Sequence, residues 1–158
     1  MTLAENLLPN LSEWKPVGGG RHSLAATPVD GWSVQLTADK TDALACLVWE
    51  LALTRTGDAP ANFTLKGWAE GVANRVAGLM EPLRVLEVDD ARGEALLRSD
   101  APAKKGEAVT YYEVKLFTTG RATVRRYTAN RTASGRDQVA FALTHEVLAK
   151  LAGDVAGC

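Results

Sequence analysis

From Thr64 to Glu81 the apolar residues Leu65, Trp68, Ala69, Val72, Val76, Leu79 and Met80 recur at three- and four-residue steps, a spacing that predicts an amphipathic helix over the whole stretch. Thr64 is the expected N-cap, and Pro82 the expected stop, because proline disfavours helical geometry at the residue before it. Strand-like patterns flank this helix. Arg21–Thr27 reads as a first strand, Trp32–Leu36 alternates apolar and polar residues as a half-buried strand does, and the polar run Thr37–Asp42 reads as a turn. Leu44–Thr56 is too apolar to assign by period alone; a long central strand ending at Gly57 and Pro60 is the expectation, with helix as the alternative.

Beyond Pro82, Leu83–Asp89 and Glu94–Ser99 form a strand pair around Asp89-Asp90-Ala91-Arg92-Gly93. Glu107–Phe117 and Ala122–Arg131 flank the hairpin signal Thr118-Thr119-Gly120-Arg121. A two-residue turn at Thr119-Gly120 would set Tyr112 opposite Tyr127 and Glu113 opposite Arg126, pairs that favour that register. Val139, Ala142, Leu143, Val147 and Leu151 predict a terminal helix over Asp137–Leu151, stopping at Gly153. At the other end, Leu3–Leu8 predicts a short helix stopped by Pro9, followed by a flexible connection carrying Gly18-Gly19-Gly20.

Adjacent strands joined by short turns imply an antiparallel sheet. The expected fold class is therefore α+β: a single antiparallel sheet with a central crossover helix and a C-terminal helix packed on it, an α-β-α sandwich. Residues 1–20 are expected as a lead-in segment and residues 21–153 as one domain. Seven apolar side chains at about 1.5–3 kcal/mol each outweigh roughly 1 kcal/mol for each glycine of the central helix, so that helix is expected to hold only when docked.

Several segments together are similar in order and pattern to the PsbP and DcrB-like family: V-W-E-L-A-L-T-R-T-G, T-L-K-G-W-A-E, L-R-V-L-E-V-D, G-E-A-L-L-R, Y-Y-E-V-K-L-F, T-T-G-R, R-R-Y-T-A-N and the final L-A-K-L. The resemblance covers roughly residues 30–152 and implies the same sandwich and a non-enzymatic, protein-binding role. That family includes a photosystem II extrinsic subunit, a factor binding the small GTPase Ran, and bacterial envelope or secretion-associated proteins.

Composition narrows the partners. With 46% hydrophobic residues, 23% charged residues and a formal net charge of -1 over 158 residues, the chain has the profile of one globular domain and no general attraction for nucleic acid or anionic membrane. No basic leader with an apolar run and no stretch of about 20 apolar residues is visible, so a cytoplasmic location without membrane contact is expected. Two cysteines are too few for a disulfide framework or a structural zinc site. Cys46 reads as a small buried hydrophobe and Cys158 as a free thiol. No cofactor is implied.

Two features suggest a binding surface. Arg121, Arg125, Arg126, Arg131 and Arg136 lie in a stretch without any acidic residue, which makes a patch for phosphate or an acidic protein surface, or else a solvated strand face in which Glu113 neutralises Arg126. On the central helix, Gly67, Gly71, Asn74 and Gly78 fall together opposite Leu65, Val72 and Val76. A stripe without side chains invites close approach by the N-terminal segment or by a second subunit, giving a possible homo-oligomer. His145 lacks a second ligand at i+4, and a Cys46–His145 nucleophile pair would need an open, electropositive setting that the apolar run around Cys46 does not offer. Gly18-Gly19-Gly20 lacks the lysine of a phosphate loop and reads as a hinge.

The expected function is a non-enzymatic protein-interaction or adaptor domain with an unknown protein partner. The alternative is a small-molecule-binding protein or minor hydrolase with a pocket between sheet and helix, lined by Trp49, Trp68, Tyr112 and Tyr127, although core packing is the first expectation for these residues.

Overall fold

The computed structural model describes every residue except Ala101, Arg131, Ala133 and Cys158. The expectations placed on Arg131 and Cys158 therefore lie outside the described residues. The elements are α1 (Leu3–Glu13), β1 (His22–Val29), β2 (Trp32–Thr41), β3 (Ala45–Arg55), α2 (Leu65–Arg75), β4 (Leu83–Asp89), β5 (Glu94–Ser99), β6 (Ala103–Lys105), β7 (Ala108–Phe117), β8 (Arg121–Asn130), β9 (Arg136–Val139), β10 (Phe141–Thr144) and α3 (His145–Ala156).

This corrects the expected fold class. Strand occupies 47% of the chain and helix 22%, so the molecule is one ten-stranded antiparallel sheet carrying three short helices, rather than an α-β-α sandwich organised by a central crossover helix. The main path runs β1-β2-β3-β8-β7-β5-β4. Along β5, β7, β8 and β3 the partners Leu97–Val114, Val114–Val124 and Val124–Leu51 share a face, and all four are buried with the apolar sides of the helices. Both α1 and α2 touch α3, so the helices form one layer on that face.

Three sequence differences account for the change. The stretch expected to open the terminal helix forms β9 and β10, because Phe141 and Leu143 alternate inward opposite Val48 and Cys46. Helix α3 starts only where the Thr144 hydroxyl accepts the Val147 N–H, and it ends with Gly157 in the left-handed conformation, φ 88°. Helix α2 stops at Arg75 rather than Glu81; Val76 turns extended, and the chain bends to bury Val76 and Leu79 while Met80 stays exposed. Strand β2 continues to Thr41, through the stretch expected as a turn, because its ladder with β3 absorbs irregularities around Ala38.

Helix α1 runs through Pro9. The stripe Leu3, Leu7 and Leu11 is almost fully buried, and the Asn10 side-chain amide donates to the Asn6 carbonyl at 2.7 Å, so packing outweighs the proline's missing N–H. A capping box between Thr2 and Glu5 starts the helix.

Strands β3 and β8 part like a fork. They pair from Leu51–Val124 to Thr54–Arg121; beyond this, β9 enters along β8, with Arg136 opposite Ala129 and Val139 opposite Arg126, and β10 leaves along β3, with Phe141 opposite Val48 and Thr144 opposite Ala45. One residue, Ala140, turns the chain at the vertex. This wedge supplies backbone partners to both diverging strands.

Candidate functional site

The β7–β8 hairpin does not have the expected register. Its loop is Thr118-Thr119-Gly120, closed by the Gly120 N–H on the Phe117 carbonyl at 2.9 Å with Gly120 at φ 95°. A three-residue loop of this kind shifts pairing by one position relative to a two-residue turn. Tyr111 therefore faces Tyr127, Tyr112 faces Arg126, and Glu113 faces Arg125.

Adjacent strand residues point to opposite faces in any register; the shift decides that Arg126 takes the helix side and Arg125 the face of Glu113. Arg126 lies on the helix side, 4.1 Å from the Tyr112 ring centroid and 3.0 Å from Glu81. On the other face, Glu113 receives Arg98 at 3.1 Å and both terminal nitrogens of Arg136. Arg125 pairs with Glu50 and donates to the Tyr127 hydroxyl at 3.2 Å. Arg136 stacks 3.7 Å from the Tyr127 ring centroid, and its hydrogen bonds to Glu113 first, then Tyr111, hold its proton above the ordinary arginine range. The sheet face without helices is thus roofed by arginines and tyrosines that satisfy one another. Arg121 is exposed at the start of β8.

The three glycines have three separate neighbours. A Cβ on Gly67 would meet the Thr64 hydroxyl at 2.8 Å, one on Gly71 would meet the Arg75 guanidinium at 2.5 Å, and one on Gly78, which lies beyond α2, would meet Val147 of α3 at 2.9 Å. Asn74 stays exposed. Neither the N-terminal segment nor another subunit is needed to cover Gly71 or Gly78.

Cys46 and His145 do not form a nucleophile pair. Cys46 is 1% exposed and contacts the Thr41 hydroxyl at 3.3 Å; burial pushes its thiol pKa up. His145 is buried at the start of α3, and its Nε2 finds no partner. Among the described residues no group of three or more metal-ligating side chains converges.

Among the described residues, a concavity of about 480 Å3 opens where the β1–β2 turn and the end of β3 meet α2 and the last turn of α3. Its volume falls in the range of small-molecule sites. At its floor Arg55, the last residue of β3, lies 4.7 Å from the Phe63 ring centroid, 5.3 Å from that of Trp32 and 5.6 Å from that of Trp68. Such guanidinium–ring contacts are electrostatically favourable. The Arg55 backbone is fixed too: its N–H donates to the Gly120 carbonyl at 2.9 Å. Gly120 is required there twice over, since a Cβ would stand 2.8 Å from the Arg55 Cβ and φ is positive.

Local sequence explains the aromatic walls. Phe63 precedes the N-cap Thr64 and packs on Trp68, the fourth helical residue, with centroids 5.9 Å apart. This is the hydrophobic-staple arrangement. The Trp68 indole N–H donates to the Val155 carbonyl at 2.8 Å, so its polar edge is satisfied on α3 and its ring is held against Trp32, 5.8 Å away. Arg75 also lines the cleft.

Of the four aromatics expected to line a pocket, only Trp68 does so. Tyr112 is buried edge-on to Phe141, 5.2 Å between centroids, Tyr127 belongs to the arginine-roofed face, and Trp49 stacks under Arg21 at 3.7 Å. Arg55, Trp32, Phe63 and Arg75 went unforeseen. The staple spacing Phe63…Trp68 was visible in the sequence; the convergence of Arg55 on it requires the β3–β8 pairing. Compared with protein-family models, curated proteins and solved structures, the chain matches none, and the PsbP and DcrB-like resemblance rests on the residue pattern alone.

Proposed function

We propose that the chain is a non-enzymatic small-molecule-binding domain whose ligand occupies the cleft at the end of β3 and α2. The observation that carries the reading is Arg55: a guanidinium seated among three aromatic rings, with no carboxylate in ion-pair contact among the described residues. A charge held in place and left without a counter-ion at a concave apolar surface is what a ligand site requires. The hairpin arginines favour a protein partner less, because Arg125 and Arg126 already have carboxylate partners. A cytoplasmic setting belongs to the same proposal and agrees with the unpaired, buried thiol of Cys46.

Nuclear magnetic resonance of the labelled chain tests the site. Small aromatic molecules titrated to about 10 mM, a concentration that reveals even millimolar affinity, should shift the signals of Gly67, the Trp68 indole and Arg55 and leave Tyr111 and Tyr127 unmoved. Gly120→Ala, which drives a methyl into Arg55, should weaken those shifts. Binding confined to the arginine-roofed face, or no binding at all, would overturn the proposal.

A further inference from the structure

The charges of the cleft point to the chemical class of its ligand, an inference that rests on the binding role just proposed. Arg75 is exposed at the end of α2, yet its guanidinium is anchored. Its Nε donates to the Asp154 carbonyl at 2.9 Å, on the last turn of α3. Its plane lies against two positions without side chains: an ideal Cβ on Gly71 would be 2.5 Å from Nη1, and one on Gly157 would be 3.1 Å from Nη2. The Asp154 carboxylate is engaged elsewhere, with Lys150 at 2.6 Å.

Arg55 and Arg75 thus line one cleft, and neither has an ion-pair partner among the described residues. Two carboxylates, Asp30 and Asp58, also belong to the lining. Both are exposed, and water screens them as it does Arg75; what sets the arginines apart is that Arg55 is half-buried against its rings and acts through less solvent, and that Arg75 is held in place by the Asp154 carbonyl. Guanidinium groups favour carboxylate and phosphate oxygens by planar, two-point hydrogen bonding. Beside Arg55 the partly exposed ring of Phe63 lines the same cleft, backed by the buried Trp32 and Trp68, and it offers a flat apolar body an aromatic surface to lie against.

We infer that the ligand is a small planar organic anion, a carboxylate or phosphate carried on an aromatic body, and that Arg75 is the residue that selects for its charge. Arg55 and the rings hold the body and the first contact; Arg75 distinguishes the anion from its neutral analogue. Gly71 has a part in this selection, because a side chain there would lift the guanidinium from its seat.

Isothermal titration of the full chain with indole-3-acetate, indole-3-acetamide, tryptamine, phenyl phosphate and inorganic phosphate tests the inference. One or both aromatic anions should bind about tenfold tighter than the neutral amide, as one charge-assisted hydrogen bond implies, and the amine should bind weakest. The ratio of indole-3-acetate to phenyl phosphate tells carboxylate from phosphate. Arg75→Gln should remove the tenfold preference and leave the amide's affinity unchanged. Gly71→Ala should weaken the preference in a protein that folds at least as well, because alanine exceeds glycine in helix propensity. An amide that binds as tightly as the acids, or an amine that binds more tightly, would overturn the anion class while leaving the binding role standing. Inorganic phosphate binding as tightly as phenyl phosphate would overturn the planar body. Binding of none of the five up to about 10 mM would overturn both the class and the role.

Discussion

Replacing Glu113 by glutamine should be among the most damaging single changes on the sheet face that carries no helix. The residue is 3% exposed, yet it receives three hydrogen bonds from two guanidinium groups. Breaking a fully buried ion pair by removing one member costs about 3–5 kcal/mol, whereas an exposed pair is worth about 0–1 kcal/mol. Glu113 belongs near the first limit, but its partners do not: the side chains of Arg98 and Arg136 are 37% and 31% exposed, so both can regain water when the carboxylate is gone. An amide in its place also turns an N–H donor toward donors. The partners' exposure and the misplaced donor act in opposite directions and put the loss at about 3 kcal/mol, the low end of the buried-pair range, which for a chain of this size lowers the melting temperature by about 6–12 °C.

Urea denaturation of wild type, Glu113→Gln, Arg136→Gln and the double variant supplies the measurement, since the cycle isolates the pair from other effects of each change. Glu50→Gln is the internal comparison: Glu50 is more exposed than Glu113 and serves one arginine, Arg125, so about 1 kcal/mol is expected there. A Glu113→Gln protein within about 0.5 kcal/mol of wild type, the scatter of ordinary surface substitutions, would refute the claim that this cluster holds the open face together.

Two further outcomes follow from individual sites. In a Cys158→Ser background, Cys46 should resist alkylation at neutral pH until the chain unfolds, because burial raises its thiol pKa and thiolate is the reactive form; rapid labelling of the native protein would contradict this. Asp42 accepts the N–H groups of Leu44 and Ala45 at 2.8 and 2.9 Å, which lowers its pKa below the ordinary 3.8. A depressed carboxyl contributes stability that is present above the ordinary value and is lost as the pH falls through the lowered one. The melting temperature of Asp42→Ala should therefore lie below that of wild type at pH 5 and approach it at about pH 2, and a gap that stays constant across this range would refute the assignment.

What the sequence made legible followed from local pattern. The β4–β5 pair was read at its observed limits, and the Thr64 cap was read where α2 begins, because alternation and capping are properties of a few adjacent residues. The end of α2 was not, since apolar residues at helical spacing continue to Met80; Val76 and Leu79 are buried by a turn that the pattern alone does not distinguish from another helical step. The same ambiguity hid β9 and β10, where Val139, Ala142 and Leu143 fit a helix, while the inward alternation of Phe141 and Leu143 becomes decisive only beside the unpaired stretch of β3.

The candidate site depended on still longer connections. One residue of loop length in the β7–β8 hairpin decides which arginines face the helices and which face solvent. With the two-residue turn, Glu113 and Arg126 share a face, and a basic patch with a single carboxylate is a fair reading. With Gly120 as a third loop residue, Arg126 is drawn inward to Glu81, and Arg98 and Arg136 gather on Glu113. That same glycine supports Arg55 from behind. The turn that pairs Arg125 and Arg126 with carboxylates is therefore also the turn that presents a different arginine, one strand away, with no carboxylate partner among the described residues. A hairpin type, rather than a motif, sets how Arg55 is presented at the cleft.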